Sequence, residues 1–147
     1  MSDGAQQQLQ ALSQELQAIE EEITELEATI EAYRQEKREI DGAIDAIERL
    51  ETGSTVQVPL GGGAHVRATV EDIDELVVSV GGGYAVEDEQ EAAIAALERK
   101  QEALDDRIAE TTDQLDELRE EGSELEEQAQ RMQQQLQQQQ LGGLGDE

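Results

Sequence analysis

The residues able to carry chemistry are few, and they are scattered. The chain has one histidine, His65, and no cysteine, so disulfides, thiol catalysis and cysteine-based zinc sites are excluded. His65 has no second His or Cys to complete a metal site, and its place in an alternating segment reads as an exposed strand position. Asp72-Ile73-Asp74 supplies two carboxylates but lacks the remaining ligands and the glycine of a calcium loop. Gly61-Gly62-Gly63 and Gly81-Gly82-Gly83 offer backbone amides of the kind that cradle phosphate. Neither run is followed by Gly-Lys-Ser/Thr and neither opens a helix, so both read as hairpin turns. The numerous other carboxylates fall on helix faces that read as solvated. No catalytic residue, metal site or cofactor is expected. What remains is the chemistry of association: apolar stripes, and the segment Gln128–Gln140, in which nine of thirteen residues are Gln with Met132 and Leu136 among them.

Two long helices must carry those stripes. Leu9, Leu12, Leu16, Ile19, Ile23, Leu26, Ile30, Tyr33, Lys37, Ile40, Ile44 and Ile47 alternate spacings of three and four without a slip, which is a coiled-coil seam. A second seam reads Ile94, Leu97, Gln101, Leu104, Ile108, Thr111, Leu115, Leu118, Gly122, Leu125, Ala129, Met132 and Leu136. Asp3 with Gln6, and Asp88 with Glu91, resemble capping pairs at the two starts, and Gly53 suits the end of the first helix. One narrow stripe cannot be hidden by its own helix. The nearest partner is the other helix of the chain, run antiparallel, in a register where facing positions sum to 141. That register sets Ile47 near Ile94, Leu26 near Leu115 and Leu9 near Met132. It also gives each polar or small seam residue a large apolar neighbour: Lys37 faces Leu104, Ile40 faces Gln101 and Ile19 faces Gly122. Gly122-Ser123 is a weak point, because a mid-helix Gly costs about 1 kcal/mol relative to Ala.

Between the seams the period changes to two. Val56, Val58 and Leu60, then Val66, Ala68 and Val70, then Leu76, Val78 and Val80, then Tyr84 and Val86 describe four short strands. Val58–Val66 and Val78–Val86 are two copies of strand, Gly-Gly-Gly, strand, twenty residues apart, so two hairpins are expected, joined by Glu71–Glu75. A sheet of this size does not stabilise itself, and metal or disulfide is absent. Open hairpin edges invite pairing, and closure with hairpins of other subunits removes them. The fold class expected is α+β: a long antiparallel α-helical coiled coil with two β-hairpins between the helices, the hairpins assembling into an intersubunit β-barrel. The expected parts are 1–53, first coiled-coil helix; 54–87, two hairpins for assembly; 88–141, second coiled-coil helix; and 142–147, a flexible tail. The far end of the coiled coil, where the Gln-rich segment lies beside Leu9, Leu12 and Leu16, can splay and offer flexible Met132 to an apolar ligand.

Helix, two Gly-looped hairpins, helix is the layout of prefoldin α-class subunits. The stretch from Val56 through Gly61-Gly62-Gly63 to Ala68, and that from Val77 through Gly81-Gly82-Gly83 to Glu87, resemble the central motif of that family. Its β-class subunits carry one hairpin, so the second hairpin places the resemblance on the α side. Ala64-His65 stands where the pattern would have Ser and an aromatic residue. The resemblance implies a hexamer of two α and four prefoldin β subunits, with a double β-barrel bearing six coiled-coil arms. It implies capture of non-native polypeptides at the tips without nucleotide, and their delivery to a group II chaperonin. Carried onto this chain, client binding falls to Leu9, Leu12, Leu16, Leu125, Met132 and Leu136. Oligomer assembly falls to Val56, Val58, Leu60, Val66, Val70, Leu76, Val78, Val80 and Val86. The alternative is a structural coiled-coil scaffold or spacer without client binding.

Charge bounds the partners. Among 147 residues, 37 are acidic and 10 basic, a net charge of -27, and aromatic residues make up 1%. Such a surface repels phosphates and anionic lipid, so neither nucleic acid nor membrane is an expected partner. No stretch is apolar enough to span a bilayer and the first residues lack the pattern of a secretory signal, so the expected compartment is cytoplasmic. Only two of the bases, Lys37 and Lys100, are lysines. The acidic, Lys-poor balance suits a salt-rich cytoplasm and a haloarchaeal source. Screening shortens the reach of self-repulsion to about 3 Å in molar salt. Thermal stability is therefore expected to rise with KCl, and a melting temperature that does not move with salt refutes this reading.

Overall fold

A computed structural model describes residues 2–145, with side chains from 3 to 141. The element order is α1 (Ser2–Arg49), β1 (Thr55–Gly61), β2 (Ala64–Thr69), β3 (Leu76–Gly81), β4 (Tyr84–Asp88) and α2 (Gln90–Gly145). By its internal contacts the chain divides into two units, one of residues 1–32 with 108–147 and one of residues 33–107. Each contains a part of both helices, and the second contains all four strands.

The heptad pattern decides which helix faces are covered. Every one of the seam positions read from the sequence is buried or half-buried, in α1 and in α2 alike, while the positions between them are almost all exposed. In the first unit Leu12, Ile19, Ile30, Thr111 and Leu115 are buried. Gly122 stands opposite Ile19 there, and a Cβ built on the glycine would lie 3.5 Å from Ile19 Cγ2. That is the pairing of the 141 register. Arg119 and Glu27 bridge the same helices at 2.9 Å, with both side chains about half exposed.

In the second unit the core is Ile40, Val78, Ala93, Ala96, Leu97 and Leu104, with Tyr33, Ala43, Ile44, Ile47 and Leu76 packed around it. The two polar seam residues do more than face apolar partners. Lys37 turns its ammonium to the Asp105 carboxylate, and Gln101 donates to Asp41 and, at 3.4 Å, to the Lys37 carbonyl. A polar layer of this kind fixes register, because any slip would leave its groups unpaired.

The helix ends are arranged differently from the sequence expectation. Asp88 belongs to β4, and α2 begins at Gln90, with the Glu89 carbonyl accepting from Ala93 N–H at 2.8 Å. The side chain at this end comes from the interhairpin linker: Gln90 N–H points at Asp74 Oδ1, 3.5 Å away. A carboxylate there also suits the positive end of the helix dipole. Asp3 lies inside the first turn of α1, which starts at Ser2, rather than before it. Gly53 is not the helix terminator either. It has φ of 92° and follows the end of α1 by several residues, donating to the Val70 carbonyl at 2.8 Å. The last turn of α1 is closed by Gln90, whose Nε2 donates to the carbonyls of Ile47 at 2.6 Å and Leu50 at 3.4 Å. One residue thus joins the end of α1 to the start of α2. At its other end α2 runs on to Gly145, where a flexible tail from 142 was expected. Extending a formed helix adds one hydrogen bond per residue fixed, so it outlasts the Gln-rich segment. Residues 146 and 147 of that expected tail lie outside the described residues.

Two glycines separate the helix requirement from the turn requirement. Gly122→Ala adds a methyl at ordinary contact distance and removes a mid-helix glycine, so it is expected to stabilise the protein by about 0.5–1 kcal/mol. Gly61 has φ of 100°, outside the region open to residues with a side chain. Gly61→Ala is expected to destabilise by about 1 kcal/mol or more. Thermal melts of both variants in molar KCl check the pair.

Candidate functional site: the hairpin faces and the helix ends

The hairpins are built by their loops. All three glycines of each run have positive φ, from 59° to 103°, and they reverse the chain between antiparallel strands. Val58 pairs with Val66 in the first hairpin and Val78 with Val86 in the second. β1 pairs only with β2 and β3 only with β4, giving two separate two-stranded sheets among the described residues. The connection between hairpins is fixed by short-range polar contacts. Asp72 accepts from Asp74 N–H at 3.0 Å, Thr52 accepts from Ile73 N–H at 3.1 Å, and Val70 N–H donates to the Ser54 carbonyl at 2.8 Å. The Asp72-Ile73-Asp74 carboxylates therefore shape a turn and the start of α2. Among the described residues no group of three His, Cys, Asp or Glu is placed to hold a metal ion. His65 is exposed, opposite Pro59 in the ladder.

Alternation gives the strands unequal faces. Val78 is 6% exposed and packs with Ala93, Ala96 and Leu97 of α2, and Leu76 packs beside it. Of the nine residues singled out for assembly, Val78 is thus already in the chain's own core, and Val56, Val70 and Leu76 are half-buried. The other five, Val58, Leu60, Val66, Val80 and Val86, are 41–68% exposed. Two further residues that the sequence reading left out of this set are more exposed still, Val77 at 71% and Tyr84 at 75%. Val77 sits inside the unbroken run Leu76-Val77-Val78, where alternation assigns it to a polar face. Tyr84 follows directly on a glycine loop, and its ring lies over Gly82. A lone aromatic at a hairpin turn was the available signal. Among the described residues the exposed large apolar side chains lie on the strands, apart from Leu141.

The helix ends present the opposite situation. Leu12 is buried, and Leu9, Leu16, Leu125, Met132 and Leu136 are half-buried. Leu12 and Met132 are brought together in a groove of about 330 Å³ lined also by Gln8, Ala11, Glu15 and Gln128. Leu16 lines a second groove, of about 320 Å³, with Ile19, Ile23, Arg119, Gly122 and Ser123. This one lies where Gly122 contributes no side chain to cover the seam. Leu9, Leu125 and Leu136 line neither groove. The six residues form a covered seam with openings in it, not a bare patch.

The comparisons with known proteins agree with this architecture. The family described as prefoldin subunit matches residues 19–140. The prefoldin subunit alpha of Halorubrum lacusprofundi is 62% identical over 113 residues, 77% of this chain and 74% of that protein. That of Haloarcula marismortui is 52% identical over 103 residues, 70% of this chain and 67% of the relative. Among solved structures, a chain of the filamentous PFD from Methanocaldococcus jannaschii, determined by cryo-EM, is similar with a TM-score of 0.52. The two are 30% identical, over 80% of this chain and 93% of the other. Prefoldin subunits form oligomers and are chaperone components, not a family of enzymes. Two long helices with two antiparallel hairpins between them match the prefoldin fold: the chain belongs to the prefoldin family, as a chaperone subunit of the α class with haloarchaeal kin.

Proposed function

We propose that this subunit acts in the cytoplasm within a heterohexamer of two α and four β prefoldin subunits. There it captures non-native polypeptides at the helix ends without nucleotide or catalysis and delivers them to a group II chaperonin. Assembly belongs to segment 54–87, and capture to the ends of the helical segments 1–53 and 88–141. The observation that carries this reading is the division of apolar surface. On the strands it stands open, as a permanent interface requires before its partner arrives. Val58, Leu60, Val66, Val80, Tyr84 and Val86 offer that open surface, and Val77 adds to it from the opposite face of β3. At the helix ends Leu9, Leu12, Leu16, Leu125, Met132 and Leu136 are covered but penetrated by grooves, as a reversible site requires. Leu76 and Val78 hold the second hairpin to the helical core and so position its open surface. Among the described residues no helix is long and apolar enough to cross a membrane, which is compatible with the compartment proposed. Several arms acting on one client would give avidity from weak single contacts.

Deleting residues 1–12 and 130–147 is expected to abolish suppression of client aggregation while leaving the hexamer intact, as read by light scattering of a denatured client and by mass measurement in molar salt. Retained suppression would leave the helix ends without a role and favour a coiled-coil scaffold. Loss of the hexamer would place assembly outside the hairpins.

A further inference from the structure

The acidity of the chain is not evenly spread. Between Asp3 and Glu15 no residue is charged, and between Glu127 and Asp146 the single charge is Arg131. Exposed helix positions that elsewhere carry Glu or Asp carry glutamine here, among them Gln6, Gln10 and Gln14 of α1 and Gln130, Gln135 and Gln139 of α2. The two tracts meet. Gln8, Ala11 and Leu12 from one and Gln128 and Met132 from the other line the same groove, with Glu15 at its border. A chain of net charge -27 therefore has a nearly neutral window, apolar at its floor and amide at its rim.

Helix formation does not explain the window, because Gln and Glu have nearly equal helix propensity. Solubility argues the other way, since acidic side chains keep a surface dispersed better than neutral ones. Removing carboxylates does matter toward a ligand that is itself negative. At contact distance even molar salt, with a screening length of about 3 Å, leaves like charges repelling. An amide donates and accepts with no net charge, so it can pair with the peptide groups of an extended chain whatever side chains that chain carries. The groove floor takes an apolar side chain.

Resting on the capture role proposed above, we infer that this end admits unfolded polypeptides that are themselves acidic, holding them by apolar side chains and backbone hydrogen bonds instead of by charge. Its substrate class is the unfolded acidic polypeptide, of which this chain, when unfolded, is itself an example.

The test uses the full-length chain assembled into the proposed hexamer, and two fluorescent, unstructured peptides with identical apolar residues, one carrying Glu and the other Lys at the remaining positions. The variant with Gln8→Glu, Gln128→Glu and Gln135→Glu changes charge but hardly shape. In molar KCl it is expected to bind the Glu peptide about tenfold more weakly while binding the Lys peptide as well or better. The matching variant with Lys at the three positions is expected to reverse the order, and Gln114→Glu, on the charged part of α2, is expected to change neither. Circular dichroism melts verify that each variant keeps its helices. Unchanged binding of the Glu peptide, or equal weakening of both peptides, overturns the inference while leaving capture at this end standing. If the hexamer built on the unaltered chain binds neither peptide, the capture reading itself fails.

Discussion

Each helix has only one narrow stripe of apolar residues, and nothing on the helix itself can hide it. The remaining faces of α1 and α2 are rich in Glu, Asp and Gln and remain exposed. The single interaction that makes these segments helical in water is therefore the mutual burial of the two stripes. Helices without such packing depend on propensity, which is a weak force. Once the stripes pair, the detail follows. The Lys37–Asp105 and Gln101–Asp41 contacts are satisfied in one register, and the small Gly122 meets the branched Ile19. Exposed ion pairs such as Arg119–Glu27 and Arg49–Asp45 contribute about 0–1 kcal/mol each, less still in salt. The fold stands on apolar burial while most of its charge faces solvent.

The hairpins depend on the same pairing by another route. Hairpin 2 is anchored because Val78 and Leu76 reach the helical core at Ala93, Ala96 and Leu97. The residues at positions 93 and 96 are alanines, small enough for a strand to approach α2 closely. Gln90 then ties the two helix ends together, and Asp74 sets the start of α2 from the linker. The open strand surface of the second hairpin is thus held by groups that are themselves fixed, and it has a defined shape within the single chain.

What could be read from the sequence was whatever repeats. The seams were legible because a period of three and a half over many turns has one physical meaning. The hairpins were legible because only glycine tolerates the positive φ of both loops. The caps were not, since the groups that close the helix ends are far apart in the chain: Asp74 serves Gln90, and Gln90 serves Ile47 and Leu50. A local motif such as Asp88 with Glu91 imitates a cap without supplying one. Alternation likewise could not distinguish Val78, buried by contact with α2, from its exposed neighbours in the pattern, and it gave no sign that Val77 stands exposed. In both cases the missing information was which element lies across from the residue.

The seam near the helix ends differs from the rest in the strength of each layer. Toward the hairpins the seam holds buried Ile40, Leu97 and Leu104, whereas toward the ends buried Ile19 and Leu12 share the seam with the small Gly122 and Ala129 and with half-buried Met132. Burying one large apolar side chain fully is worth about 1.5–3 kcal/mol, so a half-covered layer is worth less. On the capture role proposed above, a client's Leu or Val entering the same groove would return a similar amount. Opening a layer and filling it with a client residue would then be nearly balanced in free energy, and release would need no nucleotide to drive it. A stronger seam would refuse the client, and a bare one would bind it without letting go or aggregate with its own copies. On that reading, the half-buried state of Leu9, Leu16, Leu125, Met132 and Leu136 meets the requirement of a reversible holder.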